Sequence, residues 1–287
     1  MNPVAILTDS CVSLPKALLE ELKIKQVAYY IHRGQEVLRD LVTIQRDEFV
    51  RWLETAKVLP KSASPGPGDY MQAYQELIDQ GATEIVSIHM TSTASGAYQA
   101  ALVAQSMVRE QTPEVRIEVI DTRNVALCQG WMVIEAARAA LAGVTLEEIV
   151  TKVKKMIPIS HMVQTADTLK YLYMGGRIGM AQRLVGSLLN IKPLIGMEDG
   201  VIVPLGTARS RSKAYQAMVD LVENTVGKAG KVKIAYVHVG ALEEAKRIRA
   251  MIEERLTVVE SLIAELSPAL ALHSGPGTAG VCYYSVE

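Results

Sequence analysis

Hydroxyl side chains gather at four places along the chain: Thr8-Asp9-Ser10, Ser62-Ala63-Ser64, Thr91-Ser92-Thr93-Ala94-Ser95 and Asp121-Thr122. Three of them follow an apolar run, and the Ser62 loop enters a helix in the same manner. These are the positions of loops that join a strand to a helix. Such a loop offers unpaired N–H groups and the positive end of a helix dipole, so hydroxyls beside it can hold a carboxylate or a phosphate. Any one of these loops is equally well read as a helix cap, because Ser, Thr and Asp are the preferred capping residues. Convergence on the carboxyl edge of one sheet is what would make them a site.

Further polar features are isolated. Leu172-Tyr173-Met174-Gly175-Gly176-Arg177-Ile178-Gly179 sets an Arg beside paired glycines, which lets the backbone bend and aim a guanidinium at an anion. The plain alternative is a helix end followed by a solvated Arg. Arg209 and Arg211 read as surface charges or a basic rim. His273 stands beside Ser274 and the turn Gly275-Pro276-Gly277-Thr278-Ala279-Gly280. That turn matches G-x-G-x-x-G in form, but a strand follows it instead of a helix, so it is not a dinucleotide fingerprint. The sequence has no G-x-x-x-x-G-K-[ST] loop. His32, His89, His161, His238 and His273 form no ligand spacing, and no metal site is expected. Ser92, Asp121 and His273 follow hydrolase order, yet Ser92 lies in Met-Thr-Ser-Thr-Ala, not in a nucleophile elbow.

The elements that would position these groups follow one grammar in the first half of the chain. Val4–Leu7, Glu84–Met90 and Val115–Ile120 read as strands. Helical patterns follow them: one with Ser13 as cap and Pro15 in its first turn, one over about 95–110, and one reaching about Ala142. Strands alternating with helices indicate parallel βαβ units. Residues about 25–60 read as an excursion, with a strand at Val27–His32, a turn at Gly34-Gln35 and a helix at Asp47–Ala56. Residues 60–68 read as a breaker-rich loop, followed by a helix that Gly81 stops. The grammar changes near Ile157-Pro158. Beyond it, Asp199-Gly200 reads as a hairpin turn between Ile195–Glu198 and Val201–Leu205. Strands are expected at Lys233–Val239, Val258–Leu266 and Val281–Val286, with a helix over Leu242–Arg255. The expected fold is therefore α/β: an N-terminal parallel-sheet domain over 1–157 and a C-terminal α+β domain over 158–287.

Composition bounds the function. In 287 residues, 30 Lys and Arg face 31 Asp and Glu, a net charge of −1. That balance argues against nucleic acid or an anionic membrane as the main partner. Hydrophobic residues are 49% of the chain, ample for a core. The apolar set holds 12 Met but one Phe, an adaptable mixture. Cys11, Cys128 and Cys282 are odd in number and far apart, which fits free thiols in a reducing compartment. The N-terminal residues do not read as a signal peptide, and no apolar stretch is long enough to span a membrane. A cytoplasmic protein is expected.

Taken in order, the motifs resemble the DegV family of bacterial fatty-acid-binding proteins nearly end to end. The pieces are T-D-S at 8–10, P-K-S-A-S-P-G-P-G-D-Y at 60–70, T-S-T-A-S-G-A-Y at 91–98, L-K-Y-L-Y-M-G-G-R-I-G at 169–179, K-P-L-I at 192–195, D-G at 199–200 and H-S-G-P-G-T at 273–278. The resemblance implies two α/β domains with a long-chain fatty acid buried between them. It implies no other cofactor and no activity of the chain alone. The implied partner is a separate fatty acid kinase subunit, which phosphorylates the presented carboxylate to an acyl phosphate for lipid synthesis. Ser62, Thr91, Ser92 and His273 fall on the family's carboxylate-binding positions. Arg177 and Arg209 fall on arginines linked to the head group or to phosphoryl transfer. Ser62-Ala63-Ser64 replaces the usual Thr-Ser-Gln, Ala94 stands where Leu is usual, and Cys128 where Gly is common. Burying about fifteen methylenes would supply roughly 12 kcal/mol gross, so the tail gives affinity and the polar end orientation. Two other readings stay open: an esterase or acyl-phosphate hydrolase using Ser92 with His273, and a lipid-responsive regulator whose partner is not a kinase.

Overall fold

A computed structural model of the chain describes residues 4–187, 191–228 and 230–286. The outer limits of the two spans read from the sequence, residues 1–3 and 287, lie outside the described residues. The first strand, β1 (Val4–Asp9), is buried at five of its six positions. That is the pattern of a parallel strand covered on both faces. After α1 (Lys16–Glu21) comes β2 (Ile24–Val27), which pairs parallel with β1. Three strands then leave this sheet. They are β3 (Tyr30–Arg33), β4 (Glu36–Arg39) and, after α2 (Arg46–Thr55), β5 (Lys61–Ala63), which form an antiparallel sheet in the order β4-β3-β5. The chain returns through α3 (Pro67–Asp79), β6 (Glu84–His89), α4 (Ala97–Gln111), β7 (Arg116–Asp121), α5 (Ala126–Leu141) and α6 (Leu146–Met156). The parallel sheet has the order β2-β1-β6-β7, and each of its pairs is parallel, as the alternating grammar implies.

A 3-10 turn at Ile157–Ile159 leads into β8 (Ser160–Thr165) and α7 (Lys170–Met174). The hairpin of β9 (Lys192–Glu198) and β10 (Val201–Ala208) turns at Asp199-Gly200, both with positive φ. Then follow α8 (Arg211–Val226), β11 (Lys231–His238), α9 (Leu242–Glu253), β12 (Thr257–Glu265), α10 (Pro268–Ser274) and β13 (Ala279–Val286). These six strands make one mixed sheet, β10-β9-β8-β13-β11-β12, in which only the β11–β12 pair is parallel. We propose 157/158 as the boundary in topology, since the four parallel strands lie within 4–121 and the six mixed ones within 160–286. The core does not respect it. One buried cluster joins Leu7, Ile85 and Trp131 to Val237, Leu272 and Tyr284, while the other face of the mixed sheet packs on α8 and α9 through Tyr215, Val219 and Ile248.

Four local expectations change. Ser13 does not cap a helix: it sits at φ 57, and its hydroxyl accepts the Ser267 N–H at 2.9 Å. The strand expected at Val27–His32 is broken at Ala28-Tyr29, where the chain moves from the parallel sheet to the small one. The excursion therefore begins at Tyr30, not near residue 25. Residues 61–63 of the breaker-rich loop are a strand, because the backbone of Ser62 pairs with Ile31.

Candidate functional site

A cavity of about 600 Å³ opens between the parallel sheet and the mixed sheet. That is within the range of small-molecule sites, roughly 300–1,000 Å³. One end is polar. Ser62, carried by β5, shares a hydrogen bond of 2.9 Å with His273 Nε2. The Tyr29 hydroxyl lies 2.5 Å from Ser95 Oγ, in the loop before α4. Ser64, Thr93 and Ser274 line the cavity too. The body of the cavity is apolar and comes from both sheets, with Met90, Val125, Met162, Met197, Ile202 and Leu266 in its walls. Cys11 also lines it, and burial pushes its thiol well above the usual range, so it serves as an apolar surface.

The polar end depends on an anchor deeper in the fold. The buried Asp40 carboxylate accepts the Ser10 hydroxyl at 2.6 Å and the Ala269 N–H at 3.3 Å. Ser10 Oγ in turn accepts the Tyr29 N–H at 3.0 Å. One carboxylate thus fixes both the residue that reaches Ser95 and the first turn of the helix that carries His273. Burial raises the Asp40 carboxyl to about 6 against the lowering pull of these donors.

His273 is neutral at ordinary pH. Burial, and then the Arg177 charge, lower its pKa to about 4. Its Nδ1 is buried and makes no hydrogen bond to another described residue. Gly175 packs directly on that face, where a Cβ would collide with Nδ1. Burial also raises the Tyr29 phenol well above its usual range. The polar end therefore offers neutral donors and holds no fixed negative charge, which suits an incoming carboxylate.

The structure brings together only some of the residues read from the sequence. Ser62 and His273 meet, and Arg177 lines the exposed mouth, where its guanidinium donates to the Gly175 carbonyl at 2.7 Å. Thr91 and Ser92 do not line the cavity. Thr91 is buried and donates to the Gly200 carbonyl at 3.1 Å. Ser92 is exposed and donates to Asp121 Oδ2 at 2.5 Å, so Ser92 and His273 form no pair. Arg209 is exposed and outside the lining, while Arg211 is tied to Asp167 at 2.5 Å instead of standing free. Tyr29, Thr93 and Ser95 line the cavity as well. Thr93 and Ser95 belong to the hydroxyl loop at 91–95, whereas Tyr29 carries no local signal in the sequence. His273 lies in the last turn of α10, not in a loop. No group of three or more metal-binding side chains is found among the described residues, and no described helix is long and apolar enough to cross a membrane.

Two sheets closing on a cavity with a hydroxyl-and-imidazole end and an apolar body define a two-part α/β protein built around an internal amphipathic space. The chain belongs to the DegV family: the model described as "Uncharacterised protein, DegV family" matches residues 3–286. A DegV domain-containing protein of Clostridium acetobutylicum is 33% identical over 282 residues, covering 98% of both chains. One from Streptomyces coelicolor is 34% identical over 279 residues, covering 97% of both. Among solved structures, a fatty-acid-binding DegV family protein of Thermus thermophilus is similar with a TM-score of 0.92 at 28% identity, over 99% of this chain and 100% of that one. A stearic-acid-binding protein of Eubacterium ventriosum is similar with a TM-score of 0.90 at 26% identity, over 98% of each chain.

Proposed function

We propose that this protein binds a long-chain fatty acid between its two sheets and presents the carboxylate to a separate kinase for conversion to an acyl phosphate. The observation that carries the binding reading is the cavity itself: an apolar body ending in Ser62, Ser95, Tyr29 and His273. The fatty acids bound by the Thermus thermophilus and Eubacterium ventriosum relatives support the same ligand class. In this reading the carboxylate takes hydrogen bonds from Ser62 and Ser95 and from the imidazole, and the tail lies along Met90, Met162 and Met197. Arg177 at the mouth would meet the negative charge of the phosphoryl group as it is transferred to the carboxylate. The kinase is carried over from the family resemblance.

Native mass spectrometry with lipid extraction tests the first half. A stoichiometric fatty acid is expected. A protein that is empty and takes up none when supplied overturns the reading. Acyl phosphate formed only when a fatty acid kinase subunit from the same cell is added tests the second half. Binding without that product favours a lipid-responsive regulator.

One observation keeps a hydrolase in view. Ser62 and His273 stand at nucleophile–base distance, 2.9 Å. However, His273 Nδ1 has no acceptor among the described residues to orient the ring as a base. Turnover of an activated acyl ester that disappears in His273→Ala would establish that activity, and its absence would dispose of it.

A further inference from the structure

Away from the hydroxyl end, one side chain in the cavity wall is neither apolar nor paired. Gln164 lies on β8 facing the cavity, beside Met162 two residues earlier and opposite Ile195 of β9, both of which also line it. On its other side stands Gly280 of β13. The Gln164 stem lies over that glycine so closely that a Cβ there would collide with its Cγ. The residue is only 5% exposed, and its amide makes no hydrogen bond to another described residue. A primary amide carries two N–H donors and a carbonyl acceptor. A saturated tail lying against it would leave all of them unmet, at roughly 1–3 kcal/mol for each buried group left unpaired. A hydroxyl on the ligand meets one donor and the acceptor, since it accepts from an amide N–H and donates to the amide oxygen.

Resting on the fatty-acid reading above, the geometry points to a narrower ligand class: Gln164 is a specificity-determining residue for long-chain acids that carry a hydroxyl along the chain. The carboxylate is held at the Ser62 end, and the chain oxygen meets Gln164 in the otherwise apolar wall. Selectivity then follows from the polar group left unpaired when the wrong ligand binds.

The test compares 10-hydroxyoctadecanoic, 12-hydroxyoctadecanoic and octadecanoic acids by calorimetry, on delipidated native protein and on Gln164→Met, a swap of similar length. At least one hydroxy acid is expected to bind the native protein as tightly as octadecanoic acid or better. Gln164→Met is expected to lower the hydroxy-to-plain affinity ratio about ten-fold, weakening the hydroxy acid and tightening the plain one. A ratio unchanged by the substitution overturns the proposal while leaving fatty-acid binding intact. Should Gln164→Met not fold, Gln164→Leu serves the same comparison. A native protein that prefers octadecanoic acid more than ten-fold over both hydroxy acids overturns the proposal without any variant. Binding of none of the three removes both this inference and the reading beneath it.

Discussion

Thr91 and Gly200 are 109 residues apart in sequence, yet the threonine hydroxyl donates to the glycine carbonyl at 3.1 Å. Thr93 donates to the same carbonyl, and Arg123 pairs with Asp199 at 3.0 Å beside it. The hairpin of the mixed sheet is thereby latched to the strand-end loop of the parallel sheet, at the rim of the cavity. Gly200 suits the position twice: its φ is +83°, and a Cβ would run into Thr91 Oγ1.

Gly200→Ala is therefore expected to open the latch. The strained backbone alone costs about 1–3 kcal/mol. Thermal unfolding should shift downward, and bound fatty acid should dissociate faster. An unchanged off-rate would show that the hairpin does not retain the ligand.

Ser95 and Ser92 separate two assignments of the carboxylate donors. Ser95→Ala and Ser62→Ala each remove a hydroxyl from the cavity and should weaken fatty-acid binding by about 1–2 kcal/mol, roughly ten-fold. Ser92→Ala removes a hydroxyl that faces Asp121 and should leave affinity unchanged. Titration with a fluorescent fatty acid reads both. The reverse ranking would return the donor role to Ser92.

Two groups at and beneath the site contribute to the pH response of the empty protein in opposite directions. His273 loses its proton at about 4 when folded, against about 6.5 when unfolded. The unfolded chain then binds more protons in that window, so stability falls as pH drops from about 6.5 toward 4. Asp40 runs the other way: folded, it holds its proton up to about 6. Its stabilisation is complete below about 4 and is lost as pH rises through 6. His273→Asn should flatten the acid-side loss in a melting series from pH 7.5 to 4.5, and Asp40→Asn should steepen it. Curves parallel to the native one would contradict both assignments. A bound carboxylate favours the protonated imidazole, so saturation with fatty acid should raise the His273 pKa, readable by NMR.

Gly175→Ala drives a Cβ into the His273 ring. Either the ring leaves Ser62 or α7 moves away. Fatty-acid affinity should fall by an order of magnitude or more, as expected when an orienting hydrogen bond and its burial are both lost. Far-UV circular dichroism should be preserved, because α7 is short and lies at the mouth. Native affinity in this variant would mean that the Ser62–His273 bond is not used.

Much of the architecture could be read along the chain because its signals are local. The apolar runs at Val4–Leu7 and Glu84–Met90 and the Asp199-Gly200 turn each announce their element without reference to anything distant. Two more helices carry local signals: Thr145 and Glu148 form a capping box for α6, and Ser210 caps α8. The site was harder to read, since its parts meet only through the tertiary fold. The hydroxyl loop at 91–95 was found, but not which of its hydroxyls turns inward. Thr91 turns to a hairpin 109 residues away and Ser92 to Asp121 at the end of β7. Tyr29 enters only because Asp40, through Ser10, holds its backbone. The sequence gives no sign that His273 is helical, because α10 is a helix of seven residues with no side-chain cap of its own; Asp40, 229 residues from Ala269, supplies an acceptor instead.

Helix α5 has almost no surface. All of its residues except Arg138 and Leu141 are buried, and Trp131 on it donates its indole N–H to the Cys282 carbonyl of β13 at 3.1 Å. It rests on β1 on one side and on β13 on the other. It is thus the floor of one sheet and the ceiling of the other, and neither can be removed without stripping it. A chain cut after Met156 would keep α5 but leave its second face bare, an apolar strip with nothing to do except find another copy of itself. The two halves are separable on a topology diagram but share one buried core. They should melt in one calorimetric transition, and a nick at the 157–159 turn should leave the fragments bound to each other.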